Sequence, residues 1–242
     1  MKLAIIFVGT NIYKTFFNEY YNSIFSKFLS KTEKTIFVFS DDKTYPSFHK
    51  NNVVFNNIEN LGWPANTLDR YKYINRIKKH LLEFDYILFL DPDMYIYRKI
   101  NEDEFFSHNK IFYGVQHPSF NNNDFGNRIG TFEVRMESKA YVDTSTEDIS
   151  NYFQGCLWGG EVPEIFRLTE ELERNIETDN NNGIMAKWYD ESHLNKFLIT
   201  NKTDTHVFDS GFCYPERWNI SFERKIIHID KEARGMKIDK GF

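Results

Sequence analysis

The feature of this chain that most restricts its fold is a short apolar run, Tyr86–Leu90, which ends abruptly at Asp91-Pro92-Asp93. The run is too short for a helix and predicts a buried strand. That strand delivers two carboxylates, one residue apart, at its carboxyl end. Pro92 removes a backbone donor and stiffens the turn between them.

The rest of the chain alternates short apolar runs with segments of helical periodicity. Strands are predicted at residues 3–8, 35–39, 53–55, 86–90, 111–115, 206–208 and 225–229, and helices at residues 13–29, 66–83, 163–178 and 191–198. This order predicts an α/β fold in which ligands bind at the carboxyl ends of the strands. A length of 242 residues fits one domain.

Composition argues against several classes of protein. A formal net charge of -5 disfavours nucleic acid or an anionic membrane as the main partner. The chain has 2 cysteines, too few for a disulfide scaffold, which indicates a reduced, intracellular environment. The apolar run at residues 3–8 is too short for a signal peptide or a membrane anchor. We therefore expect a soluble, cytoplasmic protein.

The aspartate pair is a candidate metal site. Two carboxylates this close repel each other, and a divalent cation compensates that repulsion. Mg²⁺ or Mn²⁺ takes oxygen ligands and bridges to a diphosphate, where it neutralises a leaving group. The alternative is a solvated turn rich in aspartate, and the short motif alone leaves both interpretations open.

A second concentration of polar groups lies at residues 187–196, which read Lys-Trp-Tyr-Asp-Glu-Ser-His-Leu-Asn-Lys. Adjacent carboxylates at a helix start point in different directions. One of Asp190 and Glu191 can therefore hold a substrate hydroxyl while the other faces a reacting carbon. The alternative is that both acids only complement the helix dipole. Trp188 suits either a core or stacking on a sugar.

Other common sites are not indicated. His193 has no cysteine or second histidine at metal-ligand spacing, which argues against zinc. The sequence contains neither a Gly-x-Ser-x-Gly motif nor a glycine-rich phosphate loop. Gly159-Gly160 predicts a close approach between backbones instead.

With these stretches in view, the chain resembles the retaining α-1,3-galactosyl- and N-acetylgalactosaminyltransferase family that includes the ABO blood-group enzymes, glycosyltransferase family six. The most specific match is residues 188–197, close to the family's Trp-His-Asp-Glu-Ser-His-Leu-Asn-Lys-Tyr. Further matches, in the same order along the chain, are residues 61–64 with 66–68, the Asp-x-Asp strand, residues 117–120 and residues 157–160. The resemblance spans most of residues 3–220.

The resemblance implies a GT-A type nucleotide-binding fold with a mixed, mainly parallel central sheet flanked by helices. It implies a nucleotide-binding half at about residues 1–115, a donor-sugar and acceptor half at about 116–220, and a C-terminal tail at 221–242. By the same resemblance Val8, Gly9 and Thr10 line a uridine pocket, Tyr13 stacks on uracil, and Arg70 reaches the donor's sugar and phosphates.

The resemblance also assigns the reacting groups. Asp91 and Asp93 would hold Mn²⁺ against the diphosphate, and Asp190 would bind hydroxyls of the donor sugar. Glu191 is then the candidate nucleophile or stabilising base. The remaining assignments are Gln154, Gly155 and Cys156 at the donor sugar, His117, Thr131, Trp188 and Glu216 at the acceptor, and the tail residues Lys231, Arg234 and Lys237 over the diphosphate.

Three departures from the family pattern affect these expectations. Tyr189 replaces a histidine beside the acid pair. Gln154 and Cys156 stand where relatives sort galactose from N-acetylgalactosamine, and the bulk of Cys156 disfavours an N-acetyl group and leaves galactose or glucose. Many bacterial relatives carry Asn-x-Asn and work without metal, whereas this chain carries Asp-Pro-Asp and is expected to depend on one.

The resulting hypothesis is a retaining, Mn²⁺-dependent transferase that moves a hexose from a UDP-sugar to a hydroxyl of a glycan acceptor. By analogy alone, we expect a bacterial or phage-encoded cytoplasmic enzyme. The alternatives are a carbohydrate-binding protein without catalysis and a metal-dependent phosphodiesterase or nuclease. A nuclease would need more clustered carboxylates and a basic groove, and neither is evident.

Overall fold

The chain folds as alternating strands and helices in a computed structural model that describes residues 1–106, 109–121 and 131–236. The strands are β1 (Lys2–Val8), β2 (Glu33–Ser40), β3 (Val53–Asn57), β4 (Tyr86–Leu90), β5 (Met94–Ile96), β6 (Phe112–Gln116), β7 (Phe153–Glu161), β8 (Thr205–Phe208), β9 (Tyr214–Pro215) and β10 (Ile226–His228). The helices are α1 (Phe17–Lys27), α2 (Ala65–Leu68), α3 (Arg70–Arg76), α4 (Lys78–Leu81), α5 (Glu102–Phe106), α6 (Val162–Asn181) and α7 (Tyr189–Thr200).

A seven-stranded sheet forms the centre, in the order β3-β2-β1-β4-β7-β6-β8. Strand β7 runs antiparallel to both of its neighbours, and every other pairing in this sheet is parallel. A smaller sheet, β5-β10-β9, lies after the carboxyl end of β4. The predicted α/β fold of GT-A type, with a mixed, mainly parallel sheet flanked by helices, is confirmed.

The central sheet is buried on both faces, which explains the unbroken apolar sequence of β4. Ile87 and Phe89 belong to one core, shared with α3, α6 and α7, while Leu88 and Leu90 belong to the other, shared with α1 and α5. The ring of Phe89 stacks on Trp158 of the adjacent strand, with centroids 5.1 Å apart. Two hydrophobic layers therefore fix the end of β4 and the acids that follow it.

Strand β7 was not predicted from the sequence, because its glycines weaken the strand pattern. Their backbone explains why they are there. A Cβ on Gly159 would collide with the carbonyl oxygen of Ile87, and one on Gly160 with the carbonyl oxygen of Ile111. The predicted close backbone approach at Gly159-Gly160 is confirmed, and it lets β7 insert between β4 and β6.

Two of the four predicted helices differ from the structure in more than a few terminal residues. The helix expected at residues 66–83 is divided into α2, α3 and α4. At the first break, the side chain of Arg70 donates from Nε to the carbonyl of Thr67 (3.1 Å). At the second, Ile77 takes φ −108° and ψ 14°. The helix expected from residue 13 begins at Phe17, after a 3₁₀ turn at Asn11–Phe16.

The short elements β5, β9 and α5 were not predicted either. Across the three described segments, no helix is both long enough and apolar enough to pass through a bilayer.

Candidate active site

Two acid pairs that lie a hundred residues apart in the sequence meet at one arginine. Arg70, in the first turn of α3, is 6% exposed. Its Nη1 lies 3.7 Å from Oδ1 of Asp91, and its Nε lies 3.2 Å from Oδ2 of Asp190. The carboxyl end of β4 and the start of α7 therefore form one cluster, as a shared site requires.

Two further contacts hold the Arg70 guanidinium. Its Nη1 also donates to the carbonyl of Gly155 (3.0 Å), and its Cζ lies 4.5 Å from the centroid of the Phe89 ring. Burial alone would lower the pKa of Arg70, but the charges of Asp190 and Asp91 outweigh burial and raise it. The cluster thus contains a permanent positive charge between its two acid pairs.

Glu191, the third residue of α7, is held by two hydrogen bonds. Oε1 accepts from the Tyr152 hydroxyl and Oε2 from the backbone N–H of Gly155, both at 2.7 Å. Burial raises the pKa of Glu191 to about 7, although these two bonds act to lower it. A carboxylate fixed in this way is held in one orientation before any substrate binds.

The side-chain amide of Asn195 joins helix α7 to strand β7. Its Oδ1 accepts from the N–H of Phe153 (2.7 Å), while its Nδ2 donates to the carbonyls of Phe153 (2.8 Å) and Glu191 (2.9 Å). Tyr152 and Gly155, which hold the Glu191 carboxylate, lie one residue before and two residues after the Phe153 that Asn195 fixes. Sequence reasoning missed both Tyr152 and Asn195. The position of Asn195, one helical turn after Glu191, was the available signal.

The acids that follow β4 differ in their surroundings. Asp93 is 2% exposed and pairs with Lys231, and its Oδ2 lies 3.4 Å from Nε2 of His228. Burial would raise the pKa of Asp93, but His228 and Lys231 together hold it below its usual range. Burial raises the pKa of Asp91 to about 6; Arg70 opposes that rise and the charge of Asp93 adds to it.

The donor set at Asp91 and Asp93 fits a hard divalent cation only in part. Carboxylate oxygens are the ligands that Mg²⁺ and Mn²⁺ prefer. Within the described part of the chain, no group of three or more His, Cys, Asp or Glu side chains could hold a metal ion. Two carboxylates plus oxygens from a bound diphosphate would complete such a site, as is common for Mg²⁺. The residues therefore fit a metal that binds together with its substrate.

The residues predicted for the uridine pocket lie at the carboxyl end of β1. The N–H of Gly9 donates to Phe39 (2.9 Å), and Asn66 Nδ2 donates to the Thr10 hydroxyl (2.9 Å). Val8 is half-buried against the core beneath them. The ring centroid of Tyr13 is 5.6 Å from Nζ of Lys231, which in turn pairs with Asp93. The structure therefore brings this group next to the aspartate pair.

Gln154 and Cys156, on either side of Gly155, have opposite environments. Gln154 Nε2 lies 3.1 Å from Nδ1 of His228, and its Oε1 is buried without a hydrogen-bond partner. The Cys156 thiol is 2% exposed and lies in the core that contains α1. Burial, with the thiol of Cys213, raises the pKa of Cys156 well above its usual value. Cys156 contributes its carbonyl, which accepts from the N–H of Asp91 (2.8 Å).

This geometry can be compared with known proteins. The sequence model of the family described as Glycosyltransferase family 6 matches residues 2–238. The chain belongs to glycosyltransferase family 6.

Individual members of family 6 match over different lengths. The O-antigen biosynthesis glycosyltransferase WbnI of Escherichia coli is 31% identical over 236 residues, 96% of each chain. The histo-blood group ABO system transferase 2 of Rattus norvegicus is 31% identical over 157 residues, 64% of this chain and 44% of the rat protein. The globoside alpha-1,3-N-acetylgalactosaminyltransferase 1 of Homo sapiens is 31% identical over 162 residues, 64% of this chain and 43% of the human protein.

Three of the residues predicted for the acceptor lie near Tyr152 or at the start of α7 in this family 6 protein. The His117 ring centroid is 5.8 Å from that of Tyr152, and burial lowers the pKa of His117 to about 4, helped by the charge of His228. Thr131 precedes Phe132, whose ring packs on Tyr152 with centroids 5.2 Å apart. Trp188 is 48% exposed immediately before α7.

The fourth residue, Glu216, is bound by the C-terminal tail. Its Oε1 lies 2.7 Å from Nη2 of Arg234, and its Oε2 accepts from the N–H of Asp230 (2.9 Å). Arg234 also pairs with Glu19 (2.8 Å). Its backbone N–H donates to the carbonyl of His228 (2.9 Å), the residue whose charge helps to lower the pKa of His117. These contacts join Glu216 to the tail, and its role at the acceptor stays a prediction. The predicted tail residue Lys237 lies outside the described residues.

Tyr152→Phe is expected to shift the pH dependence of transfer by this family 6 protein. The hydrogen bond from Tyr152 lowers the pKa of Glu191, so its loss raises that pKa above its value of about 7. If ionised Glu191 is the active form, the fall in kcat/KM on the acid side moves to higher pH. At pH 7 the rate should fall by about tenfold. The measurement is kcat/KM from pH 5 to 9. If the fall on the acid side stayed at the same pH in the variant, the prediction would be wrong. Tyr141→Phe is the control.

Proposed function

We propose that this family 6 protein is a retaining, metal-dependent hexosyltransferase that uses a UDP-sugar as donor and a glycan hydroxyl as acceptor. One observation carries the proposal. A single buried arginine, Arg70, contacts both Asp91 and Asp190, and two hydrogen bonds fix the carboxylate of Glu191, the residue after Asp190. A carboxylate fixed near a site for a leaving diphosphate suits substitution at an anomeric carbon.

The donor would lie across the carboxyl ends of β1 and β4. The uracil would stack on Tyr13, with the backbone of Val8, Gly9 and Thr10 around the base and ribose. Lys231 contacts both Tyr13 and Asp93 and would meet the diphosphate. Asp190, held by Arg70, would accept hydrogen bonds from hydroxyls of the transferred sugar. Gly155 leaves space there, because it adds no side chain beside Glu191.

Asp91 and Asp93 would hold the divalent cation against the diphosphate. When bound, that cation supplies positive charge that stabilises the departing UDP. Arg70 adds a second, permanent positive charge next to Asp91. The ionised state of Asp93, favoured by His228 and Lys231, keeps one ligand ready for the cation near neutral pH.

Glu191 would act on the face of the sugar opposite to UDP. As the bond to UDP lengthens, the anomeric carbon gains positive charge, and the Glu191 carboxylate stabilises it or bonds to it. The acceptor hydroxyl then attacks from the face that UDP has left, so the configuration is retained. His117 and Thr131, on the side of Tyr152, and Trp188, immediately before α7, would bind the acceptor.

The transferred hexose is proposed to be galactose or N-acetylgalactosamine, with glucose as a further candidate. Similarity to the alpha-1,3-galactosyltransferase 2 of Homo sapiens, 35% identical over 83 residues, supports galactose, and similarity to the globoside alpha-1,3-N-acetylgalactosaminyltransferase 1 supports N-acetylgalactosamine. The bulk of Cys156 no longer argues against an N-acetyl group, because its thiol lies in the core. Gln154 is the side chain better placed to sort donors, since its Oε1 is unpaired.

A donor screen tests the proposal. We expect release of UDP from UDP-galactose or UDP-N-acetylgalactosamine, dependent on Mn²⁺ and abolished by EDTA. UDP-glucose and UDP-N-acetylglucosamine serve as the comparison donors. Anomeric configuration of the transferred sugar is read by proton NMR. Binding of a UDP-sugar without release of UDP would identify a carbohydrate-binding protein without catalysis, and an inverted product would overturn the retaining mechanism.

A further inference from the structure

Exposed hydrophobic side chains are concentrated at one end of helix α7. Among the residues that the structure describes, eleven large hydrophobic side chains are exposed. Five of them lie at or near the start of α7, and we call these five the apolar rim. They are Trp63 (40% exposed), Val134 (51%), Met136 (77%), Met185 (42%) and Trp188 (48%). Such a concentration marks an interaction surface more often than isolated exposed residues do.

Contacts between the segments show that the apolar rim is continuous. The ring of Trp63 lies against Tyr189, with centroids 4.5 Å apart, and Tyr189 follows Trp188. On the other side, the N–H of Lys187 donates to Oε2 of Glu133 (2.8 Å). Arg135 Nη2 donates to the carbonyl of Met185 (2.5 Å), which joins the segment of Val134 and Met136 to that of Met185.

The exposed charged residues beside the apolar rim are mainly cationic. Segments 134–139 and 185–188 contain four exposed charged residues, and three of them are cationic: Arg135, Lys139 and Lys187. The exception is Glu137, and Arg135 is also paired with the buried Glu133. The whole chain, in contrast, has a formal net charge of -5. The cationic side chains are thus interleaved with the apolar ones on an otherwise acidic protein.

We propose that the apolar rim docks this protein on a lipid surface that contains anionic headgroups. Tryptophan beside lysine and arginine is the combination that binds at the boundary between headgroups and acyl chains. The net charge disfavours attraction from a distance, so the basic residues act within about 10 Å, the screening length at 0.1 M salt. The rim surrounds the start of α7, where Asp190 and Glu191 stand. If the proposed function holds, an acceptor anchored in that surface meets the site directly.

Vesicle co-sedimentation tests docking without any enzyme assay. The intact chain is mixed with vesicles of phosphatidylcholine alone or of phosphatidylcholine with phosphatidylglycerol. We expect binding to the anionic vesicles, reduced by salt, and little binding to phosphatidylcholine. The double variant Met136→Ser with Met185→Ser should bind about tenfold more weakly, because two apolar side chains no longer enter the interface. Lys139→Glu should weaken only the binding to anionic vesicles, by about fivefold.

Leu82→Ser is the matched control, since Leu82 is 67% exposed and lies at the end of α4. It should bind vesicles as the parent chain does, and thermal melting should show that every variant is folded. The proposal would be overturned if Leu82→Ser lost as much vesicle binding as the double methionine variant, or if the parent chain did not bind anionic vesicles. A dimer in solution that the Met136 and Met185 changes dissociate would also overturn it, because a second copy would then cover the rim. If the parent chain binds the anionic vesicles but transfers no sugar, that result would count against the proposed function alone.

Discussion

Glu191→Gln is expected to reduce transfer by about 10³-fold or more, because an uncharged amide cannot stabilise or bond to a positive anomeric carbon. The amide keeps the size of the side chain, and its oxygen can still accept from Tyr152 or Gly155. UDP is proposed to bind on the side of Asp91 and Asp93, so its binding should change little. The measurement is kcat/KM for transfer, together with calorimetry of UDP binding.

The control for this prediction is Glu177→Gln on the exposed face of α6, which should leave transfer unchanged. Glu191→Asp gives a further test, because it keeps the charge but withdraws it by one methylene. We expect it to recover only part of the activity, since the two hydrogen bonds that fix the longer side chain would be lost. If Glu191→Gln turned over within tenfold of the parent rate, Glu191 would have no direct role in the reaction.

The fold could be predicted from the sequence wherever hydrophobic pattern alone decides structure. The strand Tyr86–Leu90 was placed correctly at both ends, because burial on both faces requires an unbroken apolar run. Strand β7 could not be found in this way. Its glycines are explained by contact with the carbonyls of Ile87 and Ile111, and those contacts exist only in the assembled sheet.

The candidate site shows the same division between local and long-range information. Each acid pair was visible in the sequence, as was Arg70 by resemblance to the family. The sequence could not show that Arg70 contacts both pairs, since that depends on the packing of α3 between β4 and α7. Nor could the sequence show that the Tyr152 hydroxyl donates to the Glu191 carboxylate, because the two residues lie far apart in the chain.

The direction of the Cys156 side chain was also hidden from the sequence. A simple alternation along β7 does not assign it, because the register with β6 shifts between Gly114 and Val115. The strand therefore presents Gly155 beside Glu191 and turns the Cys156 thiol into the core. Irregular pairing of this kind is common next to active sites.

Asp93→Asn is expected to abolish the contribution of Mn²⁺ to UDP binding and to lower transfer by about 10²-fold or more. The amide keeps the shape of the side chain but removes the charge that a divalent ion and Lys231 both require. Calorimetry of UDP with and without Mn²⁺ measures the effect. In the parent chain, Mn²⁺ should strengthen UDP binding by at least about tenfold, and in the variant the two titrations should coincide.

The state of Asp91 adds a pH signature to the same experiment. The pKa of Asp91 is raised to about 6, so a falling pH protonates this carboxylate and removes it as a ligand. The Mn²⁺ contribution to UDP binding in the parent chain should therefore decline as pH falls through 6, while binding of UDP in EDTA changes less. Asp148→Asn, at an exposed ion pair with Lys202, is the control and should behave as the parent does. A Mn²⁺ contribution that survives in Asp93→Asn would show that the cation binds elsewhere, and would leave Arg70 and Lys231 as the positive charges that act on the diphosphate.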